Sequence, residues 1–267
     1  MVDFAHAKIN LGLNILRRRE DGYHELETVF YPVDLSDIIE VVPSQNFDLV
    51  VTGMNLDIEI EENLVFRAYT MLKSRYNFSY VHIFLHKQIP FGGGLGGGSS
   101  DAATVLKLLN EIFELGLSYE QLAEFAVKIG ADCKFFLNPR PMYATGIGDI
   151  LEPVDLDLSE FNIVIVKPGF NISTRRAYSL VRPIEHKQSL KEIISLPVSM
   201  WRDRLENDFE RFLFNHYPQL KQIKEQMYEM GALYSSVTGS GSAVYGIFED
   251  KIDLKQFDYP FTWQSKY

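Results

Sequence analysis

Between Pro90 and Asn110 the chain reads PFGGGLGGGSSDAATVLKLLN, six glycines in seven positions followed by two serines and an apolar helical pattern. Glycine loses more conformational freedom on ordering than any other residue, so such a run persists in a folded chain only where bare backbone is required. The flanks narrow the choice. "VHIFLHKQIP" has the pattern of a strand that stops at Pro90, while Ala102, Val105, Leu106, Leu109 and Phe113 form a helical stripe. A flexible linker would not sit between a buried strand and a buried helix. Strand, glycine loop and helix together present backbone N–H groups and the positive end of a helix dipole to an anion. The run predicts a phosphate cradle.

Two familiar phosphate loops fit it poorly. Gly92, Gly94 and Gly97 satisfy G-x-G-x-x-G as a string, but a run this rich in glycine matches many patterns. The acid that should hold a ribose ~20 residues on, at a strand end, is missing, since Glu111 and Glu114 lie at the end of the helical stripe. The nucleoside triphosphate pattern G-x-x-x-x-G-K-[ST] places Gly98 where its lysine belongs. A cation from elsewhere must help, and Lys8 is the candidate. In "FAHAKINLGLNIL", Ala5, Ala7, Ile9, Leu11, Leu13 and Ile15 share one strand face; His6, Lys8, Asn10, Gly12 and Asn14 share the other, polar yet holding one full charge.

Composition excludes several classes. A net charge of −10 disfavours nucleic acid and acidic membrane surfaces as partners. The single cysteine, Cys133, excludes an intrachain disulfide and a CxxC zinc site. No apolar run reaches the ~20 residues of a membrane helix, and the N-terminus lacks a signal peptide's apolar segment, so a cytoplasmic protein without a membrane partner is expected.

Along the chain, Asp21-Gly22 marks a hairpin turn, "DIIEVVP" and "FDLVVTG" read as strands, and Asn63 caps a helix containing Leu64, Ala68, Met71 and Leu72. Ser118 and Gln121 form a capping box, and Gly130 ends that helix at C′. The acidic stretch "EPVDLDLSEF" suggests a boundary near residue 157, giving domains 1–157 and 158–267. Beyond it, "NIVIVKPG" is a buried strand, Gly231 ends a helix, and two strands flank "TGSGS". Strands and helices mix without βαβ alternation, which predicts an α+β fold.

Pro90, a short gap, then "GLGGGSSDAA" resembles the signature of the galactokinase–homoserine kinase–mevalonate kinase–phosphomevalonate kinase (GHMP) superfamily. The longer form "IPFGGGLGGGSSDAA" is similar to the branch whose substrate is 4-diphosphocytidyl-2-C-methylerythritol, in non-mevalonate isoprenoid precursor biosynthesis. "AKINLGLNI", "RRREDGYHELETVF", "IGADCKFFL" and "TGSGSAVYGIF" resemble further segments of that branch, in the same order, over residues 5–248.

The resemblance implies a two-domain fold, with an N-terminal ATP-binding domain like the second domain of ribosomal protein S5 and a ferredoxin-like C-terminal domain. It implies transfer from ATP, as its Mg²⁺ complex, to the 2-hydroxyl of the cytidyl polyol, with metal ligands unassigned. Lys8 and Asp132 correspond to the catalytic lysine and acid. Pro90, Phe91, Gly92, Gly93, Gly94, Leu95, Gly96, Gly97, Gly98, Ser99 and Ser100 would hold ATP, with Asn63, Leu64 and Lys87 on the adenine side. Asn10 would meet the acceptor alcohol, Tyr23 would stack on cytosine, His24 would bond its edge, and Tyr178 would be a second stacking ring. Arg17, Arg18 and Arg19 either meet the diphosphate or form a solvated loop.

The chain departs from the family at Asp132-Cys133-Lys134, where a small apolar residue and a proline usually follow the acid, and at "LNPRPMYATG". A sibling kinase acting on mevalonate, homoserine or a sugar is the first rival, and the "DGYH" hairpin tells against it. A nicotinamide-dependent oxidoreductase and a non-catalytic nucleotide-binding member are the others. The expected partner is a small molecule, and the chain a monomer or homodimer.

Overall fold

A computed structural model describes residues 1–54, 58–186 and 188–265. The chain divides into two compact units. The first comprises Met1–Ala7, Leu35–Phe91 and Gly96–Pro139; the second comprises Lys8–Asp34, Gly92–Leu95 and Arg140–Tyr267. These units do not follow one cut near residue 157. Two long strands, β1 (Val2–Arg18) and β2 (His24–Ser44), each contribute residues to both units, so a shift in composition does not mark where packing changes.

In the first unit, β3 (Asp48–Gly53) lies parallel to β4 (Tyr80–Lys87), which runs antiparallel to the later half of β2, with Ile38 opposite His86 and Ser44 opposite Tyr80. Helix α1 (Leu64–Arg75) starts at Asn63, whose side chain accepts the Val65 N–H at 2.9 Å. Helix α2 (Gly97–Ile112) buries Ala102, Val105, Leu106 and Leu109, as the stripe predicts. Helix α3 (Tyr119–Ile129) carries the complete Ser118–Gln121 capping box. Gly130 ends α3, but as an extended C-cap (φ −172°, ψ 155°) and not in the left-handed C′ position expected. Ala131 and Asp132 then turn the backbone into the short helix α4 (Cys133–Phe136), and the Cys133 N–H donates to the Gly130 carbonyl at 3.2 Å.

In the second unit, β5 (Met142–Thr145) pairs with the earlier half of β2 and with β6 (Ile150–Pro153). An antiparallel sheet holds β7 (Asn162–Lys167), whose six residues are all buried. After the short helices α5 (Thr174–Leu180), α6 (Leu190–Ile194) and α7 (Glu210–His216) comes α8 (Pro218–Glu229). Gly231 (φ 96°) closes α8: its N–H reaches the Tyr228 carbonyl and the Ala232 N–H reaches that of Met227, the paired bonds of a Schellman turn. Strands β8 (Tyr234–Val237), β9 (Val244–Phe248) and β10 (Phe261–Gln264) complete the sheet in the order β10-β7-β9-β8. Its core includes Val164, Val166, Phe209, Leu220, Ile223, Met227 and Val244. No helix among the described residues is long and apolar enough to cross a membrane.

Candidate active site

The first strand buries both of its faces. Ala5 to Ile15 fill the core at alternate positions, and Lys8, Asn10 and Asn14 on the other face are also buried. A buried ammonium needs acceptors, because desolvation penalises the charge. Lys8, 3% exposed, donates to the Asn10 side-chain oxygen and to the Gly94 carbonyl at 2.9 Å. Its backbone N–H donates to the Leu95 carbonyl at 2.9 Å, and its ammonium lies 5.1 Å from the Phe30 ring centre. Asn10 is fixed in turn. Its amide donates to Thr28 Oγ1 and its backbone N–H to Thr238 Oγ1, both at 3.0 Å, while the Tyr245 hydroxyl donates to its carbonyl at 2.8 Å. Lys8 and Asn10 are thus held as a pair beside the glycine run.

The run is held in the second unit by its middle. The Ser242 and Ala243 N–H groups donate to the Gly92 and Gly93 carbonyls at 3.1 Å each, and Thr238 Oγ1 donates to the Gly94 carbonyl at 3.2 Å. A Cβ on Gly94 (φ 76°) would lie 2.1 Å from the Thr238 carbonyl oxygen, so only glycine allows this approach. Gly96 (φ 74°) is the N-cap of α2 and offers no side-chain cap. The N-cap residue therefore gives the N–H groups of the first helical turn no side-chain acceptor, a condition that suits a helix start to receive an anion. Gly98 is exposed and Ser100 buried.

Within the first unit a cavity of about 340 Å³ is lined by Leu49, Val51, Met54, Ile58, Ile60 and Asn63, among others. Its walls mix apolar side chains with polar ones from Thr52, Glu59 and Asn63, groups that could orient a ligand. Leu64 follows in α1, with a methyl 3.6 Å from where a Cβ on Gly98 would stand. The Lys87 side chain is not turned to this cavity's lining; its ammonium is engaged by the buried carboxylates of Asp37 and Asp101.

Asp132, partly exposed, immediately precedes α4, and its carbonyl accepts the Phe135 N–H at 3.1 Å. Cys133 is fully buried, and burial pushes its thiol up to about 12 despite a hydrogen bond with Ser99. A thiol so buried and raised is held almost wholly protonated at neutral pH, which argues against nucleophilic work by Cys133. Asp132 belongs to the first unit and Lys8 to the second.

The hairpin between β1 and β2 turns at Asp21-Gly22, where the Asp21 carboxylate accepts the Tyr23 N–H at 3.1 Å. Tyr23 is 62% exposed. His24 stacks on Tyr178, centroids 5.1 Å apart, and Tyr178 meets Phe209 edge-on. Burial and the Arg18 charge lower the His24 imidazole below its ordinary value, favouring a neutral ring. Arg17 pairs with Glu25 and Arg19 with Asp21 across the same hairpin.

Set beside known proteins, the chain is 48% identical to 4-diphosphocytidyl-2-C-methyl-D-erythritol kinase of Bacteroides fragilis, over 100% of this chain and 99% of that one. The chain belongs to the GHMP kinase family. The kinase of the same name from Parabacteroides distasonis is 47% identical, with the same coverage. The family pattern described as GHMP kinases N terminal domain matches residues 63–137, and that described as GHMP kinases C terminal matches 186–257. A crystal structure of 4-(cytidine 5'-diphospho)-2C-methyl-D-erythritol kinase superposes with a TM-score of 0.80 at 35% identity, covering 92% of this chain and 90% of that one.

For this GHMP kinase the two-domain α+β fold expected from the resemblance holds. Sequence reasoning passed over several residues that shape the site. Thr28 fixes Asn10, and Asn207 donates to the Val237 and Gly239 carbonyls at 2.8 and 2.9 Å, setting the Thr238 loop. Its one local bond, the Phe209 N–H to Asn207 Oδ1 at 3.0 Å, gives no sign of this, because the carbonyls that its amide holds lie some thirty residues away in the chain. Asp101 stands inside the glycine signature itself, and an aspartate in an otherwise apolar helical stripe is a signal that could have been used.

Proposed function

We propose that this kinase transfers the γ-phosphoryl group of ATP to the 2-hydroxyl of 4-diphosphocytidyl-2-C-methyl-D-erythritol. The observation that carries the reading is the end-to-end likeness, at 47–48% identity, to bacterial kinases bearing that substrate's name. Phosphoryl transfer requires little covalent chemistry from the protein; positioning and electrostatic stabilisation do most of the work. The backbone from Pro90 to Ser100 cradles the phosphates of ATP, which arrives as its Mg²⁺ complex. The cavity lined by Leu49, Val51 and Asn63 takes the adenine.

Lys8 supplies a fixed positive charge for the charge that develops during transfer, and its hydrogen bond to Asn10 limits its motion. Asn10 orients the acceptor alcohol. Asp132 takes up the hydroxyl proton or holds the hydroxyl for attack. Tyr23, His24 and Tyr178 recognise the cytosine ring, a role supported by the stacking of His24, beside the hairpin turn, on Tyr178 of α5. We place the protein's work in the cytoplasm, a reading consistent with the absence, among the described residues, of a helix long and apolar enough to cross a membrane.

The test is ADP release from MgATP with the cytidyl polyol, and with mevalonate and homoserine in parallel, for the wild type and Asp132→Ala. Release only with the cytidyl polyol, lost in the variant, is expected. Turnover of mevalonate or homoserine instead would discard the cytidyl assignment and keep the family.

A further inference from the structure

Asp37, Lys87 and Asp101 form a closed ionic cluster in the first unit, on three different elements. Asp37 lies in β2, Lys87 ends β4, and Asp101 is in the second turn of α2; none is more than 4% exposed. The Lys87 ammonium pairs with Asp101 Oδ2 at 2.6 Å and with Asp37 Oδ2. The other oxygen of Asp37 accepts the backbone N–H groups of Gln88 and Ile89, at 2.5 and 2.9 Å. Those two residues lead directly into Pro90 and the glycine run, and Asp101 follows Ser99 and Ser100 directly behind it. One ammonium therefore ties the strand end before the run to the helix start after it. The two ends also touch through apolar atoms, for a Cβ on Gly97 would lie 2.9 Å from Ile89 Cγ2 and 3.4 Å from Lys87 Nζ.

Stability alone does not account for this arrangement. Two carboxylates share one ammonium in a buried place, and the second oxygen of Asp101 is buried with no hydrogen-bond partner among the described residues. Buried ion pairs are often no more stabilising than apolar residues of similar volume, and an unsatisfied buried acceptor is itself costly. Burial pushes the Asp101 carboxyl up to about 8 against the pull of Lys87. Lys87 itself is disfavoured as an ammonium by burial, but the two carboxylates outweigh that and raise it. What the cluster does supply is geometric definition, because ionic hydrogen bonds from one point to two backbone segments leave those segments little freedom.

We propose that Asp37, Lys87 and Asp101 are positioning residues that fix both ends of the glycine run in the conformation that receives the phosphates of ATP. Lys87 acts from beneath the loop through Asp37 and Asp101, and not by contact with the nucleotide. The inference rests on the proposed use of ATP. Displacement of a binding loop by about 1 Å is enough to cost up to roughly a hundredfold in function, so severing a tie should be visible in nucleotide binding.

The experiment compares wild type, Asp101→Leu, Asp101→Asn and Lys87→Met. It measures Kd for MgATP by calorimetry, KM for MgATP and for the cytidyl polyol, kcat and melting temperature. Asp101→Leu, similar in volume but without an acceptor for Lys87, is expected to weaken MgATP binding roughly tenfold while the polyol KM stays within about twofold. Asp101→Asn keeps an acceptor and is expected to restore most of that loss. Lys87→Met cuts both ties and is expected to lose more than Asp101→Leu; should it fail to fold, the Asp101 pair decides alone. A lowered melting temperature with unchanged MgATP binding in Asp101→Leu would overturn the proposal, as would equal losses for the leucine and asparagine variants. Because calorimetry needs no acceptor, a wild type that binds MgATP but turns over no cytidyl polyol would sink the substrate reading separately. A wild type that does not bind MgATP would overturn both.

Discussion

The His24 imidazole lies against the ring of Tyr178, centroids 5.1 Å apart and planes 27° from parallel. One ring comes from the start of β2 and the other from α5. Aromatic pairs of this kind contribute about 0.5–1.5 kcal/mol beyond their buried area, or roughly a 2- to 10-fold change in an equilibrium constant. Tyr178→Ala is accordingly expected to raise the KM for the cytidyl polyol by roughly that factor, with the KM for MgATP unchanged. Tyr178→Phe should behave as wild type. Steady-state kinetics with each substrate varied in turn checks this, and a parallel rise in both KM values would remove Tyr178 from the base-recognition role.

His24 also predicts a pH dependence. Burial, then the Arg18 charge, lowers its folded-state value, whereas the unfolded chain titrates near the ordinary value of about 6.5. Below that pH the unfolded state binds a proton that the folded state refuses. Stability linked to this group is thus complete above about pH 6.5 and falls as pH drops through the folded value. Thermal melts at pH 8 and pH 5.5 should show a smaller acid-induced drop in His24→Gln than in wild type. Equal drops would mean that His24 titrates alike in both states.

Two glycines of the run should respond oppositely to a methyl group. Gly94→Ala forces a left-handed backbone on alanine, costing about 1–3 kcal/mol, and drives Cβ to 2.1 Å from the Thr238 carbonyl oxygen. Chemical denaturation should register a loss at least that large. At Gly98 the nearest atom to an added Cβ is 3.6 Å away, and helical alanine is preferred by up to about 1 kcal/mol. Gly98→Ala is expected to fold at least as stably as wild type yet bind MgATP more weakly, because the exposed methyl covers backbone offered to phosphate. Unaltered MgATP affinity in Gly98→Ala would place the phosphates elsewhere along the run.

Cys133 stands next to Asp132 but should be chemically silent. With its thiol pushed up to about 12, the folded protein at pH 8 carries almost no thiolate there. A disulfide reagent should label the thiol only after denaturation. Cys133→Ala should keep kcat within about threefold and cost about 1 kcal/mol of stability, the loss of one small buried group. Rapid labelling of the native protein would contradict the burial seen here.

How far the sequence alone reaches depends on how local the physics is. Asn63, Ser118 and Gln121 could be assigned to helix starts because a cap bonds to backbone two or three residues away. The Asp21-Gly22 turn, the alternating first strand and the order of strand, glycine loop and helix were legible for the same reason. Gly130 was the local misreading: a glycine after a helix permits a left-handed turn, but here the turn into α4, with the Cys133 N–H on the Gly130 carbonyl, starts from an extended residue.

The rest depended on partners far apart in the chain. Lys87, an adenine-side residue by resemblance, has its ammonium taken by Asp37, fifty residues earlier, and Asp101, fourteen later. Thr238 reaches Asn10 and Gly94 across more than a hundred positions. The first two strands give residues to both compact units, so neither unit is a continuous piece of sequence. Local backbone preferences and short-range bonds determine caps, turns and the bare backbone of the glycine run from residue type alone. Buried polar partners are chosen by strand register and packing, which bring together groups whose separation along the chain carries no signal. That is why the glycine loop could be located from the sequence, while what holds the loop in place appeared only in the folded molecule.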